Sequence, residues 1–161
     1  MEIDILVEDD GWGDGERWRE AVTRAVTRTV ALAGVELPPA CELSVVLADD
    51  ARVKELNRDY RGKDKPTNVL SFPGSDDLDS PLLGDVILAR ETVEREAIDE
   101  AKSFEHHFGH LIVHGMLHLL GFDHLTDDEA AEMEALETEI LAALDIPDPY
   151  AGTVPVGAGD H

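Results

Sequence analysis

Apolar and polar positions change period several times along this chain, and each change marks an element. Residues 2–7 begin by alternating and are rich in branched side chains, as in a strand with one covered face. Gly11, Gly13 and Gly15 then punctuate a turn. Between 16 and 33, Trp18, Ala21, Val22, Ala25, Val26 and Val30 recur at helical spacing until Gly34 supplies a stop. Arg17, Arg24 and Arg28 share the opposite side of that helix, a solvated face or a supplementary contact to phosphate. After Pro38 and Pro39, residues 43–47 read as a second strand, and Asp49 is placed to cap a helix running to about Arg58. Residues 68–72 make a third strand, stopped by Pro73 and Gly74. The acidic loop 75–80 has little to hold it. A fourth strand, 84–89, leads to a helix over 91–101.

The second half is helical. From 104 to 120, Phe108, Leu111, Ile112, Val113, Leu117 and Leu120 leave almost no polar side, so this is expected to be the buried central helix. Thr126 and Glu129 form a capping box for a last helix ending near Leu144, before Pro147. The reading is one domain over 1–150 and a loose tail over 151–161 that is rich in glycine and proline.

The longest apolar stretch, 111–122, is interrupted by histidines and too short to span a membrane. An acidic N-terminus without a signal-peptide pattern, and a single cysteine, Cys41, point to the cytoplasm. A net charge of −23 taken alone argues against a polyanionic partner. Its distribution alters that conclusion. Arg52, Lys54, Arg58, Arg61, Lys63 and Lys65 fall within fourteen positions, whereas eight carboxylates and no Lys or Arg occupy 127–145, an expected solvated face.

Six of the seven histidines lie between 106 and 124. In His114-Gly-Met-Leu-His118-Leu-Leu-Gly-Phe-Asp-His124, His114 and His118 are four apart on one helix face. Gly121 permits the left-handed turn that would bring His124 back from a loop. Three imidazoles with a position left for water make a catalytic rather than a closed zinc site, although Ni or Co would also suit the donors. His110 continues the same face, but two turns separate it from His118 by ~12 Å, too far for ligands at ~2.1 Å from one ion. His110 and Asp123 are therefore candidates to orient a ligand from behind, or are structural. The spacing matches that of the metzincin peptidases, except that Gly115 stands where their catalytic Glu should be. Without that base, a peptidase is disfavoured while metal-assisted hydrolysis is not.

The run Tyr60-Arg-Gly-Lys-Asp-Lys-Pro-Thr-Asn68 carries the densest positive charge. Arg61 can donate two parallel hydrogen bonds to phosphate, while Lys63, Lys65 and Arg58 are candidates to attract a phosphate backbone. With a metal nearby, such a loop resembles a clamp for a phosphodiester.

These residues together resemble the YbeY endoribonucleases, bacterial rRNA maturation factors. The motifs are His-Gly-x-Leu-His-Leu-x-Gly-x-Asp-His at 114–124, Leu56-Asn57 leading into Tyr60-Arg-Gly-Lys-Asp-Lys-Pro-Thr-Asn-Val-Leu-Ser-Phe-Pro73, Leu83-Gly84-Asp85, and the acidic Glu-Met-Glu-x-Leu-Glu segment after Asp127. The resemblance covers roughly residues 40–150. It implies a zincin-like α+β fold, with a mixed four-stranded sheet packed against helices and a central metal-binding helix. It also implies a single-strand-specific endoribonuclease that matures the 16S rRNA 3′ end and serves late ribosome quality control. On the matching positions, His114, His118 and His124 hold one Zn2+ per chain, and Arg61 with zinc-bound water carries the catalysis. Implied partners are rRNA and the small ribosomal subunit, with a ribosome-assembly GTPase and a ribosomal protein, and no membrane. Competing readings are a metal hydrolase of another substrate class and a non-enzymatic ribosome-assembly factor with a structural zinc. The general base, the choice of water or the substrate 2′-hydroxyl as nucleophile, and the oligomeric state are not legible.

Overall fold

A computed structural model describes residues 1–74, 81–122 and 126–147. The acidic loop 75–80, Asp123, His124 and the tail over 151–161 lie outside the described residues. Four strands, β1 (Glu2–Val7), β2 (Glu42–Ala48), β3 (Val69–Pro73) and β4 (Leu82–Ala89), form one sheet in the order β1-β2-β4-β3. β1, β2 and β4 are parallel, and β3 runs antiparallel to β4 with Ser71 opposite Val86. The α+β fold with a mixed four-stranded sheet is thus the one expected.

Central strands covered on both faces need apolar residues at successive positions. Val45 to Ala48 in β2 and Val86 to Ala89 in β4 supply them, and all are buried. The edge strand β1 instead alternates, with only Ile3 and Ile5 packed inward. Two cores result, one on each face of the sheet. On one face, Val45, Leu47, Val69, Val86 and Leu88 meet α1 (Glu16–Ala33), α4 (Phe104–Leu119) and α5 (Asp127–Ala143). On the other, Val46, Leu70 and Ile87 meet Val53 and Leu56 of α2 (Asp50–Arg61). A further helix, α3 (Arg90–Asp99), joins β4 to α4 and buries Val93 in the larger core.

Local chemistry sets the helix ends. Asp49 accepts from the Arg52 amide, Ser103 from His106 and Thr126 from Glu129, each at a helix start. α2 continues three residues past the expected Arg58, because Gly62 at φ 70° provides its left-handed cap and donates to the Arg58 carbonyl. Tyr60 and Arg61 are therefore helical, and the basic loop proper begins at Gly62. At the end of α4, Gly121 takes φ 98° as its position demanded. Its amide bonds the His118 carbonyl and that of Phe122 bonds Leu117, the paired closure of a Schellman motif. No helix among the described residues is long and apolar enough to cross a membrane.

Candidate metal centre and basic loop

α4 carries its histidines into the core. His107, His110 and His114 are buried, while His118 at the last turn is half-exposed. The Nε2 atoms of His114 and His118 approach to 3.0 Å. Two nitrogens bound to one tetrahedral ion at ~2.1 Å lie ~3.4 Å apart, narrowing to ~3.0 Å as their angle falls toward a right angle. The same distance suits one ring donating to the other, so the pair can hold a cation or share a proton. The donor set, two imidazoles whose Nε2 atoms converge from one buried and one partly buried ring, fits a zinc-like ion. His124 and Asp123, the remaining expected members, are outside the described residues.

Behind this pair lies a residue that the acidic character of α5 concealed. Glu137 is 1% exposed, contrary to the solvated face expected for 127–145, and lies on the side of α5 that buries Met133, Ile140 and Leu141. Its Oε1 is 3.0 Å from His114 Nδ1, and its Oε2 is 2.8 Å from His110 Nε2. Burial alone would raise its carboxyl, but the hydrogen bonds and charge of His110 and His114 outweigh that and hold it well below the usual carboxylate range. Burial likewise pushes the His110 imidazole down, an effect that the Glu137 bond only partly offsets. The ordinary state is a carboxylate facing a neutral His110 ring. The signal in the sequence was a glutamate at the i+4 position from Met133 on an otherwise apolar stripe.

Gly115 has a packing reason for carrying no side chain. A Cβ there would stand 2.9 Å from Val86 Cγ1 and 3.1 Å from Ser71 Oγ. The helix lies directly on β3 and β4 at this point, and Ser71 Oγ donates to the Gly115 carbonyl at 3.1 Å. A glutamate in the peptidase position would have to displace α4 from the sheet.

Arg61 ends α2, on the other face of the sheet from α4, and the edge strand β3 runs between them. Two contacts link the faces through that strand. The Tyr60 ring packs on Phe72 with centroids 5.4 Å apart, and the adjacent Ser71 bonds Gly115. Arg58, Arg61, Lys63 and Lys65 are all exposed. Arg58 is paired with Asp59, whereas Arg61, Lys63 and Lys65 make no salt bridge among the described residues. The loop between them is held in shape: buried Asn57 donates to the Lys65 carbonyl at 2.9 Å, and buried Asn68 donates to Glu96 at 3.0 Å. Tyr60, 71% exposed, adds an aromatic face beside the free cations.

One unanticipated group also assembles. Ligand atoms of Glu96, Glu100 and His107 lie within 4.8 Å of one another, a set compatible with a metal ion. Its atoms are already engaged, however. Glu96 Oε1 is 2.8 Å from His107 Nε2 and accepts from Asn68, and Lys102 Nζ is 2.9 Å from Glu100 Oε1. A lysine ammonium already supplies the neutralising charge there, so the His114–His118 pair is the stronger candidate.

Comparison with known proteins bears on both features. The family model for endoribonuclease YbeY matches residues 8–145. Relatives named endoribonuclease YbeY include one from Azorhizobium caulinodans, 55% identical and covering 94% of this chain and 97% of its own. Another, from Paramagnetospirillum magneticum, is 59% identical over 83% of this chain and 89% of its own. A Thermotoga maritima protein solved in solution superposes with a TM-score of 0.54 at 26% identity, covering 89% of this chain and 91% of that one.

Proposed function

This chain belongs to the YbeY family of endoribonucleases, and from that premise we propose that it cuts single-stranded RNA using one zinc ion per chain, held by His114, His118 and His124. The observation that carries the metal half is the convergence of the His114 and His118 Nε2 atoms at 3.0 Å. The chemistry such an ion supplies when bound is Lewis acidity toward a phosphoryl oxygen and a water acidified toward neutral pH. His118 is only partly buried, the more accessible ring of the pair.

The RNA half rests on the basic loop. Arg61 donates paired N–H groups to nonbridging oxygens and offsets the charge that grows on phosphorus in the transition state. Lys63 and Lys65 draw the backbone in as point charges, and Asn57 and Asn68 keep the loop ready without ordering it at each encounter. Tyr60 offers its exposed ring to an unstacked base, which favours single strands over duplex. We assign the substrate as the 3′ region of 16S rRNA, the setting as late quality control of the small subunit in the cytoplasm, and the partners as that subunit, a ribosome-assembly GTPase and a ribosomal protein. Family membership supports these assignments, as does a free cationic loop on a chain of net charge −23.

The test compares wild type, His114→Ala and Arg61→Ala on a single-stranded 16S-derived RNA, with zinc content and circular dichroism measured alongside. The expected result is that His114→Ala stays folded but loses zinc and cleavage, while Arg61→Ala keeps zinc and loses cleavage. A His114→Ala protein that unfolds on losing zinc favours a structural metal, and equal cleavage by all three sinks the reading.

A further inference from the structure

We propose that Glu137 is a positioning residue for the metal centre, fixing His114 in the tautomer that carries its lone pair on Nε2, and that His110 acts through it by locking the carboxylate in place. The inference rests on the reading of His114 and His118 as metal ligands. An ionised carboxylate can only accept hydrogen bonds, so each ring facing it must donate. With Oε1 3.0 Å from His114 Nδ1, the His114 proton sits on Nδ1. The lone pair is then on Nε2, the atom that faces His118. His110 Nε2 at 2.8 Å occupies the other oxygen, which stops the carboxylate from turning away.

A merely structural role explains this arrangement poorly. Glu137 is 1% exposed among Met133, Ile140 and Leu141, where an apolar side chain of similar size would pack without burying a charge. One carboxylate spanning two imidazoles, one of which also faces a second ring, is instead the pattern that orients a metal-binding histidine and raises its basicity. Replacing the carboxylate by an amide upsets it in a definite way. Glutamine presents one acceptor and one donor, so one of the two rings must become an acceptor. Where that ring is His114, its proton moves to Nε2 and blocks the lone pair. Where it is His110, His114 faces a neutral partner and binds a cation less strongly.

The experiment uses the full-length chain. In metal-free wild type labelled with 15N-histidine, long-range 1H–15N correlation spectra at neutral pH should show His114 protonated on Nδ1. Zinc affinity, measured by competition with a chromophoric chelator, should fall by ~10–100-fold in Glu137→Gln. The metal-free variant should remain folded by circular dichroism at neutral pH, so that the lost affinity is read on a native chain. His114 protonated on Nε2 in the wild type, or wild-type zinc affinity in Glu137→Gln, overturns the proposal. If Glu137→Gln does not fold, the wild-type tautomer decides alone. Failure of the metal reading itself looks different, since wild type and His114→Ala would then take up zinc equally.

Discussion

Replacing Gly115 by alanine sets two effects of opposite sign against each other. In a solvent-exposed helix the change would stabilise the fold by ~1 kcal/mol through helix propensity. At position 115 the new methyl meets Val86 Cγ1 at 2.9 Å, Ser71 Oγ at 3.1 Å and Val86 Cγ2 at 3.4 Å. Carbon atoms in good contact sit ~3.5–4.0 Å apart, so the nearest pair is too close by ~0.6 Å or more. Both methyls of Val86 crowd the position, and Val86 is 1% exposed, so a rotamer change has nowhere to take them. Overpacking of this kind costs ~1–3 kcal/mol. The expected net loss is ~1 kcal/mol, a fall in unfolding midpoint of ~2–4 °C for a chain of this size. Equilibrium urea unfolding of the metal-free protein measures it. Adding Val86→Ala opens the space, so the double variant should be more stable than the sum of the two single changes by ~1 kcal/mol. Gly115→Ala raising stability by the full propensity gain, with no coupling to Val86, would refute the close approach of α4 to the sheet.

Three further expectations follow from particular contacts. Asn57→Ala removes the donor to the Lys65 carbonyl, should cost ~1–2 kcal/mol, and should weaken binding of single-stranded RNA in a fluorescence-anisotropy titration while zinc affinity is unchanged. RNA binding at wild-type strength would separate the loop from the substrate. The depressed His110 pKa makes stability pH-dependent: below its ordinary value of 6.5 the unfolded chain takes up a proton that the buried ring refuses, so stability falls as pH drops through that point. Read as the difference from His110→Asn in urea unfolding, wild type should lose stability faster below pH 6.5 and run parallel above it, and parallel curves throughout would show that the ring titrates freely. The Glu137 carboxylate, depressed below its ordinary 4.5, should add a second loss as pH falls below that value: read against Glu137→Gln, which lacks this titration, wild type should lose stability faster below pH 4.5 and run parallel above it, and parallel curves throughout would show that the carboxyl is not held down by its partners.

Most elements were legible because their signals are local. The alternation in β1, the apolar runs of β2 and β4, the caps at Asp49 and Thr126, and the turn at Gly121 each depend on a few neighbouring residues. Gly115 was legible only as a missing base. Its packing against Val86 and Ser71 joins residues distant in the chain, and no spacing rule carries that information. Glu137 was hidden for a related reason. Within a run of eight carboxylates it looks like its solvated neighbours, and only the position of α5 against α4 singles it out. The end of α2 was missed by three residues because Gly62, read as a loop residue, is its cap. That shift places Arg61 on a helix terminus, a firmer mount for the proposed phosphate contact than a loop.

The proposed cleavage of RNA depends on one ion held at His114 and His118. Its most direct test is a zinc titration of chelator-stripped protein, following cleavage of single-stranded 16S-derived RNA. Cleavage should be absent at the start, rise linearly, and level off at one zinc per chain. Cleavage by stripped protein at the full rate, or a rise that is the same in His114→Ala, would contradict it.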